Sequence, residues 1–312
     1  MRKNKYFCVL LFIIFSSSSD GQEIGDTAFE KTVFWKITGK DLKDTSYLFG
    51  TFHPIFREDI HIPDTVLNIF LRSSTIFFEN VPPSNRDSLS RAFHTMKKPR
   101  LRSLLGKICY DKLIERLKIY NDPILQDSTF DQFTPNYMNG RIMKNIFGKR
   151  LTTLDDSLMT IAKVNQLELF PLDEGYEISK ELEDPTTYDM QATTLYTLLS
   201  DFDKNITEYV RYIKGITQRY LYGDIGFIYT RTNFIRINNN WSGQSVTLRS
   251  SKAEWLLDAR NKKWLPKIEG ACQTQSSFFA FGAGHLAGTK GIISLLRKKG
   301  YTVTPIFLTK DN

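Results

Sequence analysis

Hydrophobic residues fall along this chain in two rhythms, and the difference predicts which stretches form strands and which form helices. Short dense runs occur near the two ends, at Thr32 to Ile37, Ser46 to Phe52, Thr75 to Phe78 and Phe278 to Phe281, followed by an alternating run from Tyr301 to Leu308. A run apolar at every position suits a strand covered on both faces. Between these runs, apolar residues recur three and four apart over Asp64 to Leu71, Ser103 to Tyr120, Asn136 to Ile146, Leu154 to Asn165 and Asp189 to Tyr222. That spacing predicts helices, the last stretch being long enough for two, parted near Asp203 or Gly215. Tyr222 to Ile225 reads as the end of the helical part, and Glu168 to Asp173 as a short strand ending in a carboxylate.

The punctuation between these runs predicts the connections. Gly39-Lys40-Asp41 makes an antiparallel hairpin of the first two strands, Asp64 is placed to cap the first helix, and Thr289 and Gly300 bracket a helix near the end. Two strand-helix-strand units result, one at each end, and such units imply right-handed crossovers between parallel strands. The fold expected is α/β, a mixed, largely parallel sheet built from N- and C-terminal β-α-β units, with a large helical insertion over about residues 85–250.

Chemistry concentrates where these strands stop. Gly50-Thr51-Phe52-His53 ends the second strand, and Gly282-Ala283-Gly284-His285 repeats the pattern 232 residues later. Glu79 ends a third strand and Asp173 a fourth. Open parallel sheets bind ligands at the carboxyl ends of their strands. Two imidazoles and a carboxylate meeting there are metal-hydrolase donors, His53, His285 and Glu79, with Glu79 as third ligand or as general base. Mixed nitrogen and oxygen donors suit zinc, manganese or cobalt. Gly50, Gly282 and Gly284 allow tight turns and close approach to a bound group. Taken singly, each histidine reads as a loop-end residue bonded to backbone; the duplication beside a glutamate reverses that. His61 and His94 lack this context and read as surface residues. Arg260 and Asn261, just before the last strand unit, are placed to orient substrate or polarise a carbonyl, although Arg260 alone reads as a surface or salt-bridging residue. Ser276-Ser277 has no nucleophile-elbow pattern around it.

Composition sets the compartment. Arg2, Lys3 and Lys5 precede an apolar core from Tyr6 to Phe15 and then four serines, the pattern of a secretory signal. The core is too short to span a bilayer, and no later segment is long enough, so residues 1–21 read as a removed signal and 22–312 as one exported domain. Losing three basic groups and Asp20 lowers the formal charge from +8 to +6. The basic residues are scattered apart from Lys97 to Arg102, which argues against a nucleic-acid partner. Cys109 and Cys272 remain, as a disulfide or as two separate buried thiols.

Taken together, Leu48 to His53, Phe78-Glu79, Tyr222-Gly223-Asp224, Arg260-Asn261 with Trp264, and Phe281 to Leu286 with Gly288, running on through Lys299-Gly300-Tyr301 and Val303, resemble the TraB/GumN family, which includes the Tiki proteins. The resemblance spans about residues 32–308. It implies an α/β core with a helical insertion. For the Tiki branch it implies a metal-dependent protease using both Gly-x-x-His motifs and an early glutamate, here His53, His285 and Glu79, with Arg260 and Asn261 as further motif residues and a peptide or protein as substrate. Leu172-Asp173-Glu174 stands where the family often has Leu-Glu-Thr, so the carboxylate there is one methylene shorter. The alternatives from other classes are a non-catalytic protein that sequesters a peptide or carbohydrate, and an esterase-like hydrolase in which His and Glu act without metal.

Overall fold

The computed structural model describes residues 29–81, 94–173, 185–238, 245–249 and 254–308; the signal reading over residues 1–21 lies outside them. Strand β1 (Phe34–Thr38) turns through Gly39, Lys40 and Asp41, all at positive φ, into β2 (Ser46–Thr51), and α1 (Asp64–Arg72) and β3 (Thr75–Phe78) follow. Helices α2 (Leu101–Ile119), α3 (Pro135–Phe147) and α4 (Leu154–Val164) precede the short β4 (Leu169–Pro171). Helices α5 (Pro185–Ser200), α6 (Phe202–Leu221) and α7 (Ile225–Asn233) lead to a hairpin of β5 (Phe234–Asn238) and β6 (Ser245–Arg249). A π-helical stretch, Glu254–Ala259, opens into α8 (Arg260–Thr274), and β7 (Ser277–Gly282), α9 (Ile292–Lys298) and β8 (Thr302–Ile306) close the described chain.

These elements fall into two compact units. One is drawn from Pro82–Leu151 and Glu174–Tyr212, the other from Ser16–Val81, Thr152–Asp173 and Ile213–Asn312. The first has a core of its own, where Leu105, Leu113 and Leu117 of α2 meet Met138 and Ile142 of α3 and Leu195 and Leu199 of α5. Asp122, buried in this unit, accepts from Arg141 and Asn145 and caps a turn by accepting from Ile124 N, so its charge is fully engaged. His94 also lies here, only 5% exposed, its Nδ1 3.0 Å from Thr134 Oγ1 and its ring against Tyr137, so the surface expected for it is not where it lies.

The second unit carries a six-stranded mixed sheet in the order β8-β1-β2-β7-β3-β4. The pairs β8-β1 and β1-β2 are antiparallel, while β2-β7, β7-β3 and β3-β4 are parallel. The strands flanking each helix therefore point the same way without being neighbours. β7 inserts between β2 and β3, and β1 and β2 lie between β7 and β8. The dense apolar run of β7 has a simple cause, since its alternate residues face two covered layers. Phe278 packs with Phe34, Phe49 and Phe70 on one side. Phe279 stacks on Phe77, and Phe281 meets Trp264 of α8, on the other.

Several local expectations give way to backbone geometry. Asp64 lies in the first turn of α1 and Pro63 stands at the cap position, with no side-chain cap bond. Gly291, not Thr289, precedes α9. Gly223 at φ +77 turns the chain into α7 where the helical part was expected to stop; a Cβ there would stand 2.6 Å from the Lys31 carbonyl. Among the described residues, no helix is long and apolar enough to cross a membrane.

Candidate functional site at the strand ends

The parallel part of the sheet decides which side chains meet. Register pairs Thr51 with Gly282, and Phe78 with both Ala280 and Pro171, so β2, β7, β3 and β4 all stop at one edge. Pairing continues beyond β3 and β4, where Asp173 N donates to Glu79 O at 3.0 Å. His53, His285, Glu79 and Asp173 thus leave adjacent strands in that order, each strand about 4.8 Å from the next.

Gly282 marks the centre. A Cβ on it would lie 3.1 Å from Glu79 Oε1, 3.8 Å from His285 Cδ2 and 3.9 Å from His53 Cε1. All three side chains converge on a space left by a missing methyl group, and Gly282 N donates to Glu79 Oε1 at 2.6 Å. Gly50 serves packing instead, since a Cβ there would strike Leu286 at 2.6 Å and the Ala283 backbone at 3.0 Å. Gly284 is buried in the turn that delivers His285.

His285 is 3% exposed, and a second residue fixes its ring. Asn261 Nδ2 donates to the carbonyls of His285 and Lys290, so its Oδ1 is the acceptor 2.7 Å from His285 Nδ1. The hydrogen of the neutral ring therefore sits on Nδ1 and the lone pair on Nε2. Burial pushes the pKa of this ring down to about 3, so it stays neutral at physiological pH. Trp264 lies against it with ring centres 4.4 Å apart.

Arg260 is not at the surface. Its side chain is 11% exposed, and its NH2 donates to Glu79 Oε2 at 2.6 Å and to Asp173 Oδ2 at 2.7 Å. NH1 lies 3.3 Å from His285 Nε2, and the guanidinium stacks over Trp264 at 4.5 Å. Trp264 Nε1 also donates to Asp173 Oδ1 at 2.7 Å, so Asp173 is held between the indole and the guanidinium. Desolvation alone would raise the Glu79 carboxyl, but Arg260, the two imidazoles and the Gly282 N–H together outweigh it and hold the group far below the usual carboxylate range.

His53 is more open, its side chain 36% exposed. Its Nδ1 lies 3.6 Å from Asp155 Oδ2, and against the effect of desolvation Asp155 and Glu79 raise its pKa. The sequence reading passed over Asp155. Its position after Thr153, which caps α4 by accepting from Asp156 N, was the available signal, because it puts a carboxylate in a helix's first turn. Leu154 N donates to Phe52 O at 3.2 Å and fixes that turn beside His53. His61 is exposed, and Cys109 and Cys272 are separate buried thiols.

A neutral imidazole with an inward lone pair, a second imidazole and an ionised carboxylate are the donor types that zinc, manganese or cobalt take. By donor chemistry these residues fit a divalent ion. Arg260 engages Glu79 and His285 in this arrangement, and among the described residues no group of three or more His, Cys, Asp or Glu side chains is set out to hold a metal.

Comparison with known proteins adds relatives at low identity. The chain is 26% identical over 303 residues to Metalloprotease TIKI1 of Danio rerio, covering 83% of this chain and 60% of that one. It is 24% identical over 305 residues to Metalloprotease TIKI2 of Danio rerio, covering 83% and 58%. It thus spans about three-fifths of the length of these relatives. No solved structure matches. The sequence pattern of one family runs from residue 33 to residue 305, through every strand of the sheet and all four strand-end side chains, and the chain belongs to that family, TraB/PrgY/gumN.

Proposed function

We propose that this chain is an exported, metal-dependent hydrolase of peptidase type acting on peptides or proteins. In this reading residues 22–312 form one family domain, and the helical segments between about 85 and 250 are an insertion into it. One observation carries the assignment: His285, neutral and locked by Asn261, turns Nε2 toward Glu79 Oε1, 3.7 Å away, at a point His53 also reaches. The relatives' names support the class of chemistry.

His285, His53 and Glu79 would hold the ion. When bound, such an ion supplies Lewis acidity and lowers the pKa of a water. Asn261 keeps the hydrogen of His285 on Nδ1 and so keeps Nε2 a donor of electrons. Glu79 is held ionised by Arg260 together with the imidazoles and the Gly282 N–H, and where it serves as general base rather than third ligand its Oε1 takes a proton from an attacking water. Asp173 and Trp264 hold the Arg260 guanidinium in place, and its charge stabilises negative charge developing on a substrate carbonyl.

The test is to incubate the purified mature protein with a peptide library and with manganese, cobalt or zinc, alongside His53→Ala and His285→Ala. Cleavage by the parent that both substitutions abolish, and that a chelator removes, is the expected result. Equal activity in parent and variants defeats the assignment. Cleavage that survives chelation moves it to the reading in which His285 and Glu79 act without an ion.

A further inference from the structure

The two Gly-x-x-His histidines are treated alike by the fold. Each ring presents Nδ1 to the second residue of a helix, His285 to Asn261 of α8 and His53 to Asp155 of α4. In the first case the contact is a 2.7 Å hydrogen bond. In the second, Asp155 Oδ2 is 3.6 Å from Nδ1, which is charge contact beyond hydrogen-bond reach.

The state of Asp155 suggests what this gap is for. Thr51 Oγ1, on the strand that delivers His53, donates to Oδ1 at 3.0 Å and fixes the carboxylate's rotation. Oδ2 is buried and has no hydrogen-bond partner. An unpaired carboxylate oxygen out of water is costly, and an Nδ1–H of His53, 3.6 Å away, would supply a donor after a small closing movement. The helix start is itself pinned through Leu154 N to Phe52 O, and Tyr220 Oη donates to Gly50 O at 2.7 Å while its ring stacks on Phe52. Carboxylate and histidine therefore sit on backbones tied to each other at successive residues.

We infer that Asp155 is the positioning residue of His53: it draws the ring hydrogen to Nδ1, leaves the lone pair on Nε2, and so gives His53 the same tautomer that Asn261 gives His285. The hydrogen on one ring nitrogen decides which nitrogen can donate electrons, and a carboxylate partner also raises that nitrogen's basicity. The role in ion affinity rests on the reading proposed above; the role in tautomer choice does not.

Nitrogen-15 NMR of the imidazoles separates the two. The chain has only four histidines, so His53 is assigned by comparison with His53→Gln. At alkaline pH, where the ring is neutral, wild type is expected as the Nδ1–H form. Asp155→Ala moves His53 toward the Nε2–H form while His285 is unchanged, and Thr51→Val, which keeps the carboxylate but frees its rotation, moves it the same way by less. Calorimetric titration with zinc or manganese alone is expected to show affinity reduced roughly 10–100-fold in Asp155→Ala. A tautomer shift in a protein that takes up no ion supports the positioning role and removes the metal reading. An unchanged His53 tautomer in both variants, or a wild type already in the Nε2–H form, overturns the inference even where ion binding persists.

Discussion

Arg260 balances the buried charge of the site, and its surroundings make the cost of losing it calculable in direction. Arg260→Met leaves Glu79 and Asp173 as buried carboxylates without their cation, and urea unfolding should show a loss of about 3–5 kcal/mol. Arg260→Lys should recover only part of it, because one ammonium cannot reproduce the planar contacts to two carboxylates and the stacking on Trp264. His94 gives a pH prediction in the helical unit. Burial depresses its pKa to about 3 from an ordinary 6.5, so below pH 6.5 the unfolded chain binds a proton that the folded one refuses. Stability should therefore be complete above pH 6.5 and fall steadily as pH drops toward 3, and His94→Gln should reduce that slope in urea titrations run from pH 7 to pH 5. At this scale the sequence pointed to His53, Glu79 and His285 through their shared position at strand ends. It marked Asp155 at most as a carboxylate in a helix's first turn, because its relation to His53 exists only where α4 starts beside Phe52.

Strand β7 is the element whose removal would disperse the site. It lies between β2 and β3, carries the Gly282 backbone that binds Glu79, and leads directly to His285. Phe278→Ala opens a cavity among Phe34, Phe49 and Phe70 and should cost roughly 3–5 kcal/mol in denaturant unfolding. Gly50→Ala on β2 should cost about 1–3 kcal/mol by overpacking against Leu286 and Ala283, with stability again the readout. The strands of the sheet were legible because two covered faces demand unbroken apolar runs. Caps were not: Asp64 and Thr289 had suitable side chains, but backbone geometry at Pro63 and Gly291 set the helix starts. The β5-β6 hairpin was passed over, although Ile235 and Ile237, then Val246 and Leu248, alternate as strands do.

For the molecule as a whole, the sequence left the cysteines open and the structure separates them. Cys109 lies in the helical unit and Cys272 in the sheet unit, both buried and free. Neither should react with an alkylating reagent in the folded chain, both should react after unfolding, and a reductant should leave the melting temperature unchanged; peptide mass analysis and a thermal scan check this. The amino-acid sequence by itself determined what depends on local pattern: which runs become strands, which become helices, and that histidine and carboxylate follow the strands directly. It also carried the family, through ordered motifs that span the chain. Only the tertiary structure decided strand order. Inserting β7 between β2 and β3 brings residues more than two hundred positions apart to one edge, buries Arg260 between two carboxylates and sets Asp155 beside His53. Pairings of that kind arise from packing across the whole sheet, and no local spacing encodes them.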